Sequence, residues 1–311
     1  MKYTILILFG LFLSSCCVCE DDYLLRCEGL SESIEYNPAT INRKVLVIGV
    51  DGIRSDVMQD SISPFLFDLS QQENTYFTDS HITEGITYSG PNWSSLLTGV
   101  HMSKHNVLEN DFLNPNFNEY PSFFYYLENI EEPINTVSIV NWLPIHTHIL
   151  SGIVDYAPTE SISDLEVFNS CKEILLNNNP VNGDVIFLHF DELDGAGHGF
   201  GFSADVEEYR STLTTIDGYI EDLFNIIDTK RANGEDWMVF IVSDHGGAGT
   251  GHGDADNPHI NQTVFYAQHP NLNFSDYHTT SMADLAPTIL DFLGVRSEKY
   301  DCIKDGVSII E

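Results

Sequence analysis

Two short segments each carry a carboxylate and an imidazole: Asp194-Gly-Ala-Gly-His198 and Asp244-His245. His252 follows His245 across the glycine-rich run that starts at Gly246 and ends at Gly251. Asp51 adds another carboxylate and Ser89 a hydroxyl. Imidazole and carboxylate suit Zn2+, and catalytic zinc sites keep one position open to substrate. A lone histidine among the 12 reads as a surface or hydrogen-bonded one. This set is different, because it gathers in loops whose glycines let the backbone turn tightly and bring ligands together. Two Zn2+ would more than neutralise the three aspartates, so an anionic substrate would meet a positive field. Two metals about 4 Å apart polarise a phosphoryl oxygen, activate a nucleophile and neutralise a leaving oxygen.

The elements that must position these residues are legible as apolar runs. Residues 45–50, 136–140, 184–190, 237–242 and 263–267 are continuous, largely β-branched or aromatic stretches bounded by turn signals, the pattern of buried parallel strands. Helical patterns over 64–71, 163–176, 204–227 and 281–293 alternate with them. The expected fold is α/β, a mostly parallel central sheet with helices on both faces. Asp51 follows the first run, Asp191 and Asp194 the third, and Asp244 and His245 the fourth. Ligands in open α/β sheets sit beyond the carboxyl ends of the strands, so three strands deliver these groups to one edge.

Between the first two runs lies Ser89-Gly90-Pro91-Asn92-Trp93. Pro91 suits a first helical turn and Gly99 a helix end, which places Ser89 or Gly90 at the N-cap. Ser89 is then either a simple cap or a nucleophile whose alkoxide the helix dipole stabilises.

The 311-residue chain has 13 Lys and Arg against 47 Asp and Glu, a net charge of −34. That excludes a broad nucleic-acid surface, which needs clustered cations, and docking on anionic lipid. The apolar run at residues 5–13 follows Lys2 and is short of the ~20 residues a spanning helix needs. It reads as a signal peptide over residues 1–15. Leu13-Ser14-Ser15-Cys16 resembles a bacterial lipobox, which implies export as a periplasmic, outer-membrane or cell-surface lipoprotein, with simple secretion as the alternative. Membrane attachment would come only through the lipid. Residues 16–43 read as an irregular tether and 44–311 as one catalytic domain. No cysteine zinc motif is present, and Cys171 and Cys302 are candidates to pair in an oxidising compartment.

Taken in order, these motifs resemble the alkaline phosphatase superfamily, in its type I phosphodiesterase/nucleotide pyrophosphatase branch. Val50-Asp51-Gly52-Ile53-Arg54 is similar to the first metal motif and Ser89-Gly90-Pro91-Asn92 to the nucleophile motif. Asp194 to His198 resembles the Asp-x-x-x-His motif, and Asp244-His245-Gly246 the Asp-His-Gly motif. The segment from Leu97 to His105 and the helix beginning near Ser281 also resemble family segments. The resemblance runs from about residue 45 to 310. It implies one zinc on Asp51, Ser89, Asp244 and His245, and a second on Asp194, His198 and His252, with His259 the alternative to His252. It further implies a phospho-Ser89 intermediate and Asn92 as hydrogen-bond donor to a phosphoryl oxygen. The substrate would be a small phosphate ester, such as a nucleotide or another phosphodiester.

The alternatives are a phosphate monoesterase, a sulfatase or a non-catalytic lipid-anchored binding protein. A sulfatase maturation signal ends in Arg where this chain has Trp93. A monoesterase clamps its dianion with Arg, and none lies between Arg54 and Arg210. The chemistry expected is therefore diester or pyrophosphate hydrolysis.

Overall fold

The computed structural model describes Cys27 and residues 29–131, 134–275 and 279–311. The expected signal peptide and Cys16 lie outside the described residues. Strand β1 is Ile34–Tyr36, and the run at 45–50 belongs to β2, Arg43–Val50. The other strands are β3 (Thr75–Ile82), β4 (Thr136–Val140), β5 (Val185–Phe190), β6 (Asp236–Val242), β7 (Gln262–Gln268) and β8 (Val295–Ser297). Six of them form one sheet in the order β3-β7-β6-β2-β5-β4. Strands β4, β5, β2 and β6 are mutually parallel, while β7 runs antiparallel to both β6 and β3.

Alternation along β2 explains why its whole run is apolar. Val45 and Val47 pack on one face with Trp93, Leu96, Phe187 and Phe240, whereas Leu46, Ile48 and Val50 pack on the other with Leu193, Leu213 and Ile216. Helix α1 (Pro64–Ser70), α3 (Asp164–Leu175), α4 (Glu192–Phe200) and α5 (Glu207–Ala232) belong to the second layer. Helices α2 (Ser89–Thr98) and α6 (Leu285–Leu293) belong to the first. With both faces covered, each of these fully buried aliphatic side chains contributes about 2 kcal/mol of hydrophobic stabilisation.

Register delivers the site. Val50 pairs with Phe190 on β5, and Gly49 with Val242 on β6. Asp51, Asp191 and Ser243 therefore leave the sheet side by side at its carboxyl edge.

The structure departs from the sequence reading of the fold in five places. The run at 263–267, read as a parallel strand, is β7 and runs antiparallel to both its neighbours. Residues 75–82 form an edge strand, half-exposed along most of its length, with a register shift between Thr78 and His81. The helix expected over 281–293 begins as a 3-10 turn, Met282–Asp284, because Ser281 and Asp284 form a capping box there. The tether is not irregular throughout: β1 pairs antiparallel with β8. Cys302 bonds to Cys27, with Cα atoms 6.0 Å apart, and not to Cys171, which is buried and free in the helix layer with Val167 and Ile174. No helix among the described residues is long and apolar enough to cross a membrane.

Candidate active site

Asp51, Asp244 and His245 converge where β2 and β6 end, and all three are fully buried. His245 Nδ1–H donates to the Gly246 carbonyl at 2.8 Å, which leaves the Nε2 lone pair facing inward. That nitrogen lies 3.4 Å from Asp51 Oδ1, 3.3 Å from Asp244 Oδ2 and 3.3 Å from the Ser89 hydroxyl. A second cluster joins Asp194 and His198, one turn apart on α4, to His252 on the glycine-rich loop. His198 Nδ1–H donates to the Thr250 carbonyl and His252 Nδ1–H to that of Thr87. Both Nε2 lone pairs therefore face Asp194, at 3.3 Å and 4.0 Å. The rings of His245 and His252 stack with centroids 3.8 Å apart and join the two clusters.

The donor set suits a divalent metal. Asp51 Oδ1, Asp194 Oδ1 and Asp244 Oδ2 are the buried carboxylate oxygens without a hydrogen-bond donor among the described residues. Leaving such atoms unpaired is costly unless a positive charge shares the space. Burial, then the charge of Asp244, pushes Asp51 up to about 8. Burial, then Asp51, pushes Asp194 up to about 7. Asp244 is driven well above the usual carboxylate range by burial and Asp194. His252 falls to about 3 through burial and the nearby His245, so it presents a neutral imidazole.

Asp51, His189 and Asp191 make a third group of close ligand atoms. Here Asp51 Oδ2 already accepts from Trp93 Nε1 at 3.0 Å and from His189 Nε2 at 3.2 Å. Two N–H donors take the space an ion would need.

Ser89 is the first residue of α2, and the N-cap is Tyr88, in extended conformation, rather than Ser89 or Gly90. The difference frees the Ser89 hydroxyl from capping. Thr87, the neighbouring hydroxyl, donates to the His252 carbonyl instead.

Asn92 is not placed to touch substrate. It is fully buried, its Nδ2 donates to the carbonyls of Ile86 and Tyr88, and its Oδ1 accepts from Glu84 N–H. The expectation that it binds a phosphoryl oxygen is therefore corrected: Asn92 ties the turn before α2 to the helix. The asparagine held against the start of α2, next to Ser89, is Asn110, whose Oδ1 accepts from Gly90 N–H at 2.7 Å while the residue stays exposed. Its place in a polar loop gives no periodicity or spacing by which sequence reading could find it. The approach requires glycine at position 90, since a Cβ there would meet Asn110 Oδ1 and Glu109 O at 2.9 Å.

Arg54 is held away from any clamp role. Its guanidinium forks onto Asp56, at 2.9 Å and 2.6 Å, and donates to the Phe202 carbonyl. His259 stands apart from both clusters, half-exposed and 3.9 Å from Asp56. Trp142 and His148 pack against Phe112, with His148 stacked at 4.6 Å.

Residues 45–143 and 155–275 match the model of the family described as type I phosphodiesterase / nucleotide pyrophosphatase. A bis(5'-adenosyl)-triphosphatase of Bos taurus, ENPP4, is 26% identical over 222 residues, which are 65% of this chain and 47% of that protein. The chain thus spans about half the length of that relative. Murine ectonucleotide pyrophosphatase / phosphodiesterase 5, solved in complex with AMP, superposes with a TM-score of 0.63 at 15% identity, covering 86% of this chain and 100% of that one. The C-terminal periplasmic domain of EptC from Escherichia coli, solved with zinc, gives 0.56 at 17% identity over 89% of this chain and 90% of that one. At such identities the two structures share the fold with this chain.

Proposed function

Because the chain belongs to the type I phosphodiesterase / nucleotide pyrophosphatase family, we propose that it hydrolyses the phosphodiester or pyrophosphate bond of a small phosphate ester such as a nucleotide. The observation that carries this reading is the position of Ser89. Its hydroxyl lies in the first turn of α2, 3.3 Å from His245 Nε2, the nitrogen that also faces the unpaired oxygens of Asp51 and Asp244.

Asp51, Ser89, Asp244 and His245 would hold one zinc ion, and Asp194, His198 and His252 the other. When bound, the ions supply positive charge that stabilises the serine alkoxide and the phosphoryl oxygens. The imidazole-carboxylate donor set supports zinc over calcium, and the zinc found in the EptC structure is consistent with that choice.

The remaining roles fall to the chain itself. Ser89 Oγ loses its proton to solvent and bonds to phosphorus as the bond to the leaving oxygen breaks. The leaving oxygen takes up a proton, and water then cleaves the phosphoseryl bond and restores the hydroxyl, with net retention. The α2 N-terminus favours the developing negative charge. Asn110, pinned by Gly90 N–H, offers its amide protons to a non-bridging oxygen. That neutral donor, together with Arg54 bound to Asp56, favours a diester over a monoester dianion.

The Cys27–Cys302 disulfide supports an oxidising compartment, and so export, with lipid attachment at Cys16 or simple secretion. A hydrolysis panel tests the reading: bis-p-nitrophenyl phosphate, p-nitrophenyl phosphate, a p-nitrophenyl nucleotide ester and p-nitrophenyl sulfate. The diesters should turn over, and sulfate-only turnover would overturn it.

A further inference from the structure

Asp51 divides its two oxygens between different tasks. Oδ1 faces His245 and accepts no hydrogen bond. Oδ2 accepts from Trp93 Nε1 and His189 Nε2, at 3.0 Å and 3.2 Å. All three residues are fully buried. An indole N–H can only donate, and a buried one needs an acceptor; here the acceptor is a carboxylate that ends the neighbouring strand.

The fold is shaped around this contact. Trp93 lies one helical turn after Ser89, so the nucleophile and the indole share one face of α2. On the sheet below, Val45, Val47 and Gly49 point the same way, and Gly49 makes the space. A Cβ at Gly49 would meet the Trp93 ring at 2.6 Å. Gly49 pairs with His189 across the sheet. The Trp93 ring stands edge-on to His189 at 4.8 Å and to Phe187 at 5.9 Å. A histidine inside the apolar run of β5 and a tryptophan on α2 therefore meet on one carboxylate oxygen, in space that a glycine in β2 leaves open.

We infer that Trp93 and His189 are positioning residues that set the metal-binding geometry of Asp51, and through it tie the nucleophile helix to the cation site. Two donors on Oδ2 fix the carboxylate plane and leave Oδ1 as a single ligand atom. Bidentate binding is blocked. That arrangement suits a four-coordinate ion and disfavours calcium, which collects 6–8 oxygens and often takes carboxylates two oxygens at a time. Groups that orient a metal ligand in this way typically change metal affinity by about 10- to 100-fold when removed.

The inference rests on the two-cation reading above, and the experiment separates the two. Zinc content and both zinc dissociation constants are measured by dialysis against a competing chelator, for the wild-type chain, Trp93→Phe and His189→Phe. Each variant keeps a ring and loses one donor. One of the two constants should weaken about tenfold or more in each variant, the other should stay as in wild type, and calcium should compete better with zinc. A merely structural role would weaken both sites together. If Trp93→Phe fails to fold, His189→Phe decides alone. Wild-type protein that holds two ions beside variants that hold both as tightly overturns this inference and leaves the two-cation reading standing. Wild-type protein that retains no divalent ion overturns that reading, and this inference with it.

Discussion

His198 and His252 bring their Nε2 atoms to 3.2 Å of each other while each donates its Nδ1 proton to a backbone carbonyl. Two lone pairs aimed at one another, with the unpaired Oδ1 of Asp194 beside them, form a cluster whose electrostatics favour a cation. The backbone carbonyls of Thr87 and Thr250 choose the tautomers, so the loops around the site prepare the ligands before any ion arrives.

That preparation has a pH signature. Asp51 and Asp194 are raised to about 8 and about 7, far above their unfolded values near 4. A folded state that holds protons the unfolded state has released loses stability as pH rises. The metal-depleted protein should therefore melt at progressively lower temperature between pH 5 and pH 8. Zinc removes the need for those protons, so the gap between zinc-loaded and chelated melting temperatures should widen over the same interval. Scanning calorimetry with and without chelator measures it, and elemental analysis should find about two zinc per chain. A gap independent of pH would contradict the ligand assignment.

Ser89 and Thr87 present hydroxyls two residues apart, but only Ser89 faces His245. Ser89→Ala should lose most hydrolysis while keeping its fold. Thr87→Ala should cost stability on the order of 1 kcal/mol for its lost hydrogen bond and retain turnover within about tenfold. Steady-state rates on bis-p-nitrophenyl phosphate, read beside melting curves, compare them. Near-normal Ser89→Ala beside inactive Thr87→Ala would move the nucleophile.

The two asparagines should separate stability from rate. Asn92→Ala deletes one acceptor and two donor contacts in a buried turn, a loss on the order of 3 kcal/mol that melting will show. Asn110→Ala loses a single hydrogen bond, from Gly90 N–H to an exposed side chain, so its melting temperature should fall much less than that of Asn92→Ala. Its kcat should fall by ~10²-fold, the usual cost of one oxyanion donor. Equal rate losses from both variants, with no difference in melting, would mean that neither role is right.

What was legible in the sequence depended on whether a residue's neighbours along the chain decide its environment. Asp51 and Asp244 were readable because each ends an apolar run, and a parallel sheet sends all such ends to one edge. Asp194, His198 and His252 announce themselves by carboxylate and imidazole lying within a few residues, in glycine-rich segments that follow strand ends. Asn110 and Trp93 do not, since their partners, Gly90 and Asp51, are set by packing between distant segments. His189 is hidden inside an apolar strand, where a histidine looks like a core residue. Strand β3 was missed because an edge strand that stays half-exposed needs no apolar run. The partner of Cys302, Cys27, lies 275 residues away in sequence, and their meeting depended on where β1 docks.

The substrate preference follows from where positive charge is absent. A monoester dianion needs a charged fork to hold its extra oxygen, and bidentate Arg serves best. Arg54, four residues after Val50 at the edge of the site, spends its fork on Asp56 and a further donor on the Phe202 carbonyl. Asn110 is neutral and carries no compensating charge. The transition state of a diester has one fewer negative charge to stabilise, so this donor set should discriminate in its favour. The kcat/KM for bis-p-nitrophenyl phosphate should exceed that for p-nitrophenyl phosphate. Asp56→Asn should weaken the hold on Arg54 and shift the ratio towards the monoester. If the wild-type chain already prefers the monoester, and Asp56→Asn changes nothing, a cation from elsewhere in the fold clamps the substrate and the diester preference is wrong.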